Sequence, residues 1–453
     1  KRFIISVDAS LFTASEDMKK KLKDAAALAA CSSSSSSSEG TDGLNGTYTY
    51  HIGGYDWGAG VDKVTVTFDS AVDEVSPDMF TVTETKNATD WSSETFEIKE
   101  TTFDRKVEDA YLSDAQGVKT DSPSKYVTLD LYVSPNDGSP MNYDFNSGRN
   151  SWCDPYFLTI GVAEGQKLKS EGKEISAVVI DTKAAGKTTD ADSFKTASFK
   201  AEDGTEYQYA YYEPAEKSNK LFVWLHGGGE GATENSDPYI VTLANKVTAY
   251  TSEAFQKELG NAWVLAPQCP TLWMDNGKLG DNWMENLTAD SLYTQSLTEL
   301  IDSFAKEHDL DKIVIAGCSN GGFMTVNMAV ANGDKYDAYV PIAEGFIDTA
   351  ITDDVVNKLK DLPMYFIYAE NDDTLDPEHF SKPLLSKLEE AGASNLKVST
   401  TKNVTDSSGK YKNEKGEPYE YSGHWSWIYF DNNESVSNDD QTSSWSWIAQ
   451  QIQ

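Results

Sequence analysis

The sequence predicts an all-β immunoglobulin-like sandwich followed by an α/β domain in which helices flank a mainly parallel sheet. Two observations carry this prediction. Short alternating strands with frequent turn signals fill residues 45–182, and apolar strands alternate with helical stretches over residues 196–453. A length of 453 residues exceeds one typical domain, and each part is long enough to bury a core of its own.

Residues 1–44 carry the features of a bacterial lipoprotein leader. An alanine-rich stretch ends in Leu28-Ala29-Ala30-Cys31, which is the pattern of a signal whose cysteine receives the lipid. The serine run 32–38 then predicts a flexible tether. This interpretation places the protein outside the cell or on its surface, with Cys31 as the lipid anchor. The alternative is a disordered leader with a stray cysteine, because Lys23 and Asp24 interrupt the apolar stretch.

The sandwich is predicted from side chains that alternate between apolar and polar. The clearest alternating or strand-like stretches are 61–68, 126–133, 156–162 and 175–180. No helical stretch lies between them, which favours antiparallel sheets of the immunoglobulin type. Residues 183–195 are small and polar, so they are the expected linker to the second domain.

The strongest functional signal is the pentapeptide Gly317-Cys318-Ser319-Asn320-Gly321, between a predicted strand at 312–316 and a predicted buried helix at 323–331. Gly-x-Ser-x-Gly at such a turn is the nucleophile elbow of an α/β-hydrolase. The turn is so tight that glycines must flank Ser319, which leaves its hydroxyl exposed at the sheet edge. Cys318 is expected to pack as a small buried hydrophobe. A glycine-rich turn with an incidental serine is the alternative, since short motifs recur by chance.

A second glycine-rich loop follows the predicted strand 221–225. Its sequence is His226-Gly227-Gly228-Gly229-Glu230-Gly231, and such a loop directs backbone N–H groups at the developing oxyanion of acyl transfer. We expect Gly228 or Gly229 to supply one donor and the amide of Asn320 to supply the second. His226 is expected to fix the loop by hydrogen bonds.

The acid of a catalytic triad is expected on the loop after the predicted strand 364–369. Asp373, four residues before Pro377, best fits the Asp-x-x-x-Pro form of that loop. Asp372 is the alternative, one residue away.

The choice of base is narrow because the chain has five histidines. Only His379 and His424 follow the acid, as the chain order serine, acid, histidine requires. His379 is expected in the first turn of the helix after the acid loop. We expect His424 to be the base, because a late loop can bring Nε2 to the serine while Nδ1–H bonds to the carboxylate.

These motifs resemble the esterase and prolyl-oligopeptidase-like branch of the α/β-hydrolase superfamily. The likeness is strongest to secreted bacterial esterases with an N-terminal immunoglobulin-like domain, and it rests on the HGGGEG, APQCP, GCSNGG and GHWSW segments. It implies hydrolysis of carboxylic esters through an acyl-enzyme, without metal or organic cofactor. Relatives include polyester depolymerases, feruloyl esterases and peptidases, so the substrate does not follow. Ala369-Glu370 departs from the His-Gly that many relatives carry before the acid loop.

Charge restricts the partners. The formal net charge is −35, from 73 acidic and 38 basic residues, which argues against nucleic acid and anionic membranes as partners. The resemblance implies a small or polymer-linked ester as the partner. The only arginines are Arg2, Arg105 and Arg149, all outside the second domain. The sequence therefore predicts no guanidinium clamp for a carboxylate or phosphate there, which disfavours phosphoesterases and carboxypeptidases. No cysteine and histidine set has zinc-ligand spacing.

Further features border the predicted site. Residues 141–156 are rich in aromatic residues, asparagine and glycine, and they form either a plain surface loop or a finger that reaches the active-site mouth. An apolar face over residues 292–304 predicts a helix that ends near His308 and packs against the core. No apolar lid is evident over residues 231–263, which disfavours a lipase. Three tryptophans are candidate pocket walls: Trp273, Trp283 and Trp425.

Two other functions compete with a serine carboxylesterase. A prolyl-oligopeptidase-like serine peptidase shares the elbow, but residues 45–182 are too few for the β-propeller such enzymes usually carry. A surface glycan-binding lipoprotein on a hydrolase scaffold is the second alternative. The complete set of nucleophile, acid, base and oxyanion loop argues against it.

Overall fold

The computed structural model describes residues 43–280 and 285–453. The predicted leader with Cys31 lies outside these residues, apart from its last two positions, and so does Trp283. The strands of the N-terminal domain are β1 (Gly43–Tyr55), β2 (Gly58–Val72), β3 (Phe80–Thr89), β4 (Ile98–Arg105), β5 (Val107–Ser113), β6 (Ser124–Leu131), β7 (Met141–Asp144), β8 (Arg149–Trp152), β9 (Tyr156–Val162), β10 (Lys169–Ser170), β11 (Lys173–Glu174), β12 (Ala177–Ile180) and β13 (Gly186–Thr189).

The second domain alternates strands with helices. Its strands are β14 (Lys195–Lys200), β15 (Glu206–Tyr212), β16 (Lys220–Leu225), β17 (Ala262–Gln268), β18 (Lys312–Cys318), β19 (Ala338–Ile342), β20 (Met364–Ala369), β21 (Leu396–Thr401), β22 (Val404–Thr405) and β23 (Glu420–Tyr421). Its α-helices are α1 (Pro238–Ala244), α2 (Glu253–Leu259), α3 (Thr294–Glu307), α4 (Asn320–Asn332), α5 (Asp353–Leu359), α6 (Ser381–Glu390), α7 (Trp427–Asp431) and α8 (Ser444–Gln451).

The N-terminal domain is built on two larger sheets whose inward side chains share one core, and β7-β8 and β10-β11 form two-stranded sheets beside them. One sheet has the order β12-β1-β2-β6-β5 with β13 also paired to β1, and the other has the order β4-β3-β9. The alternation of apolar and polar residues in the sequence corresponds to alternating burial in the strands. Tyr48, Val64, Leu158 and Ile160 are buried, and their strand neighbours on the opposite face are more exposed. The predicted sandwich is confirmed, with one difference. Strands β12 and β13 run parallel to β1, so the sheet is not wholly antiparallel.

The predicted linker, residues 183–195, is not a free connection. Strand β13 lies within it and extends the first sheet by pairing Thr49 with Gly186. Asp190 adds a side-chain contact, since its Oδ2 accepts a hydrogen bond of 2.9 Å from the Gly54 amide. Small polar residues fit an edge strand as well as a linker, and only the neighbouring strand distinguishes the two.

The second domain is built on an eight-stranded sheet of order β14-β15-β17-β16-β18-β19-β20-β21. The six strands from β17 to β21 in this order are parallel, and β14 and β15 are antiparallel at one edge. The predicted mainly parallel sheet is therefore confirmed. Because the carboxyl ends of parallel strands meet at one edge of the sheet, the loops after β16, β18 and β20 converge there.

Helix α3 carries the apolar face predicted for residues 292–304. Leu297, Leu300, Ile301 and Phe304 are buried. The predicted first member of that face is wrong, because Leu292 precedes the helix and is 54% exposed. Between residues 231 and 263, helices α1 and α2 direct their apolar side chains into the core, so this segment packs as part of the fold.

The tip of the β1–β2 hairpin holds the two domains together. The Trp57 ring packs edge-on against Tyr411 with 4.6 Å between ring centroids. Beside it, Lys246 Nζ donates to Asp56 Oδ1 at 2.6 Å and to Asn432 Oδ1 at 2.7 Å. An aromatic contact and a half-buried ion pair therefore join the sandwich to two separate parts of the second domain. None of the helices in the described ranges has the length and apolar character needed to span a membrane.

Candidate active site

Ser319 occupies a strained turn between β18 and α4. Its backbone φ is 56°, in the left-handed region that residues with a side chain rarely adopt. The Ser319 amide donates to the Ile342 carbonyl at 2.8 Å, and the Ser319 carbonyl accepts from the Phe323 amide at 2.9 Å. These bonds hold the strained residue in place. Ser319 is partly exposed while Cys318 and Asn320 are buried, as a nucleophile elbow requires.

The two glycines of the elbow are required by their surroundings. A Cβ on Gly321 would lie 1.9 Å from the Leu225 carbonyl oxygen, and a Cβ on Gly317 would lie 2.6 Å from the same oxygen. Such distances cannot be relieved by a side-chain movement, because the opposing atom belongs to the backbone of β16. The predicted physical reason for glycine at these positions is confirmed.

A serine, a histidine and an aspartate form a continuous hydrogen-bonded chain at the sheet edge. Ser319 Oγ lies 2.7 Å from His424 Nε2, and His424 Nδ1 lies 2.8 Å from Asp372 Oδ2. The imidazole and the carboxylate are nearly buried, at 7% and 4% exposure, whereas the serine hydroxyl remains accessible. Low exposure keeps water from competing for these bonds, so the imidazole has a fixed orientation.

The acid beside His424 is Asp372, and the choice of Asp373 is wrong by one residue. Asp373 is exposed. Asp372 points inward because its Oδ1 accepts the backbone amides of Thr374 and Leu375, both at 2.9 Å, and this turn directs Oδ2 at the imidazole. The Asp-x-x-x-Pro register therefore does not apply to this loop.

His424 reaches the acid through a close approach of two loops. It lies in a single 3-10 turn, Gly423–Trp425, before α7. A Cβ on Gly423 would lie 2.3 Å from Asn371 Oδ1 and 2.5 Å from the Asn371 carbonyl oxygen. Glycine therefore lets the histidine loop pack directly on the acid loop. The other histidine considered, His379, is exposed, precedes α6 and bonds to Asp348 at 3.2 Å.

The glycine-rich loop after β16 lies against the nucleophile. A Cβ on Gly227 would be 3.8 Å from Ser319 Cβ, and Gly228–Glu230 forms one 3-10 turn. The first N–H groups of such a turn, and of α4 at Asn320, have no acceptor within their own helix. The oxyanion roles of Gly228, Gly229 and Asn320 stay predictions that this arrangement allows.

His226 fixes this loop, as predicted. Its Nδ1 donates to the Gly227 carbonyl at 2.6 Å, and its Nε2 accepts from the Cys269 amide at 2.9 Å. Burial lowers the pKa of His226 to about 3, so the ring is neutral and can accept at Nε2. His226 therefore connects the loop to the end of β17.

Glu230 is a second anchor of the loop, which the sequence did not indicate. Its side chain is buried at 5% exposure, and burial raises the pKa of the carboxyl group. Hydrogen bonds from the side chains of Asn150 and Asn245 oppose that shift. The backbone carbonyl of Glu230 accepts a hydrogen bond of 3.1 Å from Gln268 Nε2. Asn245 also accepts the Gly227 amide at 3.4 Å, so one side chain spans both ends of the loop.

The N-terminal domain reaches this loop through the hairpin of β7 and β8. Asn150 Nδ2 donates to Glu230 Oε1 at 2.9 Å, and the Trp152 amide donates to the Asn235 carbonyl at 2.9 Å. Of the two interpretations of residues 141–156, the finger that reaches the site is therefore correct. The composition of the segment was the only local signal, because its partner lies 80 residues away.

The same hairpin brings an arginine to the site. Arg149 donates to the Thr271 carbonyl at 3.3 Å, and its Nε lies 2.9 Å from where a Cβ on Gly231 would be. Burial lowers the pKa of the guanidinium. The sequence of the second domain contains no arginine, but Arg149 of the N-terminal domain packs against it. The premise that no arginine lies near the glycine-rich loop is therefore wrong, while the prediction about substrates with a carboxylate or phosphate stays a prediction.

The candidate pocket walls differ in exposure. Trp273 is fully buried, 6.2 Å from the Tyr207 ring and 5.2 Å from His226, so it belongs to the core and the prediction that it lines a pocket is wrong. Trp425 is half-buried beside the catalytic histidine candidate and stays a candidate wall.

Cys318 is buried and unpaired, and burial raises the pKa of its thiol well above the usual value, so it is not a thiolate nucleophile. Within residues 43–280 and 285–453, no group of three or more histidine, cysteine, aspartate or glutamate side chains has a metal-binding arrangement.

Comparison with known proteins agrees with this architecture. Residues 48–168 match the family model of the esterase Ig-like N-terminal domain. A thermostable esterase of known structure superposes with a TM-score of 0.62 at 21% identity, covering 85% of this chain and 96% of its own. A search among curated proteins finds no match. The immunoglobulin-like sandwich and the α/β-hydrolase fold are thereby confirmed.

Two further structures are similar to about half of the chain. A cold-adapted esterase from an Arctic intertidal metagenomic library covers 46% of this chain and 82% of its own, at 13% identity and a TM-score of 0.32. A ferulic acid esterase covers 46% of this chain and 89% of its own, at 15% identity and a TM-score of 0.35. Likeness at this level does not indicate the substrate, because one fold serves many activities.

Proposed function

We propose that this protein is a serine carboxylesterase that hydrolyses carboxylic esters through an acyl-enzyme. The observation that carries the proposal is the chain of hydrogen bonds from Ser319 through His424 to Asp372, at 2.7 and 2.8 Å. It ends in an accessible hydroxyl beside a glycine-rich loop, so nucleophile, base and oxyanion donors face one space.

The geometry suits a two-step reaction. Ser319 Oγ attacks the acyl carbonyl while His424 Nε2 takes its proton, and Asp372 stabilises the imidazolium that forms. The amides of Asn320 and of Gly228 or Gly229 would bind the oxyanion. His424 then protonates the leaving alcohol. In the second step it takes a proton from water, which attacks the acyl-enzyme, and it then gives that proton to Ser319 Oγ as the acyl–oxygen bond breaks and the acid is released.

Ester cleavage is favoured over peptide cleavage by the N-terminal domain. Residues 48–168 match an esterase-associated sandwich, and the described residues contain no β-propeller in front of the second domain. The absence of arginines from the second domain no longer counts against the peptidase, because Arg149 of the N-terminal domain packs against that domain at Thr271. Helices packed into the core over residues 231–263 favour soluble, short-chain esters over lipid interfaces.

The test is hydrolysis of p-nitrophenyl esters from acetate to palmitate by the wild type and by Ser319→Ala. We expect a maximum at short acyl chains and loss of turnover in the variant, since the remaining groups supply no nucleophile. Ser303→Ala, an exposed serine of α3, is the matched control and should keep full activity. Turnover that survives Ser319→Ala would refute the mechanism, and faster cleavage of aminoacyl anilides than of matched esters would favour the peptidase.

A further inference from the structure

The hairpin of β7 and β8 belongs to the sandwich but ends at the catalytic loop. Its first strand is fixed to β3, where Asn142 Oδ1 accepts the Thr89 amide at 2.7 Å. Its second strand faces the other domain, where the Trp152 amide bonds to the Asn235 carbonyl and Asn150 bonds to Glu230. Both strands of the hairpin are thus held by hydrogen bonds to neighbouring strands or loops, which gives the Asn150 side chain a defined position.

Glu230 depends on this contact. A buried carboxylate is costly unless hydrogen bonds replace its water, and Asn150 and Asn245 are the side chains that supply them. Asn245 belongs to the second domain, directly after α1. Asn150 is the donor that comes from the sandwich.

The position of Glu230 determines the position of the loop. It ends the 3-10 turn Gly228–Glu230, so the carboxylate fixes one end of the turn to which the proposed function assigns an oxyanion donor. The carboxylate also folds back on the start of the loop, with Oε2 3.2 Å from where a Cβ on Gly227 would lie. Gly227 in turn lies beside the nucleophile residue, since a Cβ added to it would be 3.8 Å from Ser319 Cβ. A shift of Glu230 would therefore move the loop relative to Ser319.

We propose that Asn150 is a positioning residue for the oxyanion loop, so that the immunoglobulin-like domain is part of the catalytic apparatus. Asn150 acts through Glu230 and does not touch the substrate. The inference rests on the proposed function, because it assigns this loop to the oxyanion.

The first test is Asn150→Ala. A misplaced oxyanion loop weakens a contact that forms fully only in the transition state, so kcat should fall by about tenfold to 100-fold while KM changes little. Asn146→Ala is the matched control, because the Asn146 amide lies on the same hairpin but bonds to Thr95 within the sandwich. It should keep the wild-type kcat. An unchanged kcat in Asn150→Ala would overturn the inference.

The second test reverses the hydrogen bond. Asn150→Asp removes the N–H donor and places a second carboxyl group against Glu230, so the wild-type hydrogen bond is lost and kcat should fall at least as far as in Asn150→Ala. Adding Glu230→Gln restores the hydrogen bond with its direction reversed. The glutamine N–H now donates to the carboxylate introduced at position 150, and the glutamine oxygen can still accept from Asn245. The double variant should recover most of the wild-type kcat. A double variant no better than Asn150→Asp would contradict the proposal.

Hydrogen exchange of the amides of residues 227–231 provides a readout without catalysis. We expect faster exchange in Asn150→Ala and wild-type exchange in Asn146→Ala. This measurement separates the two hypotheses. A wild type that hydrolyses no ester refutes the proposed function while exchange still tests the positioning role. An active wild type with unchanged kcat and exchange in Asn150→Ala refutes the positioning role alone.

Discussion

Asp372 uses its two carboxylate oxygens for different purposes. Oδ1 accepts two backbone amides of its own loop and Oδ2 faces His424. Asp372→Asn keeps an oxygen for the loop but places an amide opposite Nδ1, which forces the wrong imidazole tautomer. In a serine protease the corresponding change lowers kcat by about 10⁴-fold, and we expect a loss of that order in ester hydrolysis.

Asp373→Asn is the control for this prediction. Asp373 is exposed and should tolerate the change with unchanged kcat. The reverse pattern, with loss at Asp373 and none at Asp372, would show that the acid loop has a different conformation in solution.

The residue scale also marks a limit of prediction from sequence. The nucleophile and the histidine follow from local patterns, a glycine-flanked serine and a scarce residue in the right order. Asp372 and Asp373 are chemically identical neighbours, and the turn that points one inward depends on where Thr374 and Leu375 direct their amides. Arg149 was invisible for another reason, since it lies 122 residues from the carbonyl that it contacts.

At the scale of elements, the elbow works because β18, α4 and β16 approach at backbone distance. Gly321→Ala would place a Cβ 1.9 Å from the Leu225 carbonyl oxygen. Because backbone must move to relieve this contact, we expect destabilisation at or beyond the upper end of the about 1–3 kcal/mol typical of overpacking. The measurement is the midpoint of urea unfolding, together with ester turnover.

Gly186→Ala is the matched control for the elbow. A Cβ there would meet its nearest neighbour, Thr49, at 3.8 Å, an ordinary contact, so the unfolding midpoint should stay near that of the wild type. Equal midpoints for both alanine variants would mean that the elbow has room that the structure does not show.

Elements whose burial is uniform were predicted well. The strands after which the site loops begin have continuous apolar sequence, and their observed bounds, Lys220–Leu225, Lys312–Cys318 and Met364–Ala369, match the predictions to within two residues. The linker and Leu292 were predicted less well, because a polar edge strand and a helix start are decided by neighbours that a local pattern does not contain.

At the scale of the whole molecule, a charged histidine secures the segment that leads into the second domain to the sandwich. His51 lies between Asp190, at 3.4 Å, and Asp62, at 2.8 Å, and hydrogen bonds to these two carboxylates raise its pKa to about 9. Since the folded pKa exceeds the ordinary 6.5, the stabilisation is complete below about pH 6.5 and is lost as the pH rises through about 9.

We therefore expect the midpoint of urea unfolding to fall between pH 7 and pH 10 in the wild type by more than in His51→Gln, which cannot become charged. The exposed His379→Gln serves as the control and should follow the wild-type curve. Parallel curves for the wild type and His51→Gln would show that the charge of His51 does not contribute to stability.

The contact between Asn150 and the glycine-rich loop has a consequence for inheritance. Two domains that are joined only by a linker can be recombined freely, and the sequence of each can change independently of the other. Here a substitution at one tip of the sandwich must be matched by one in a loop of the other domain. A chimaera of one enzyme's sandwich with another's hydrolase domain would thus be active only when the residues at positions 150 and 230 can still form this hydrogen bond. The two positions are therefore expected to be inherited together.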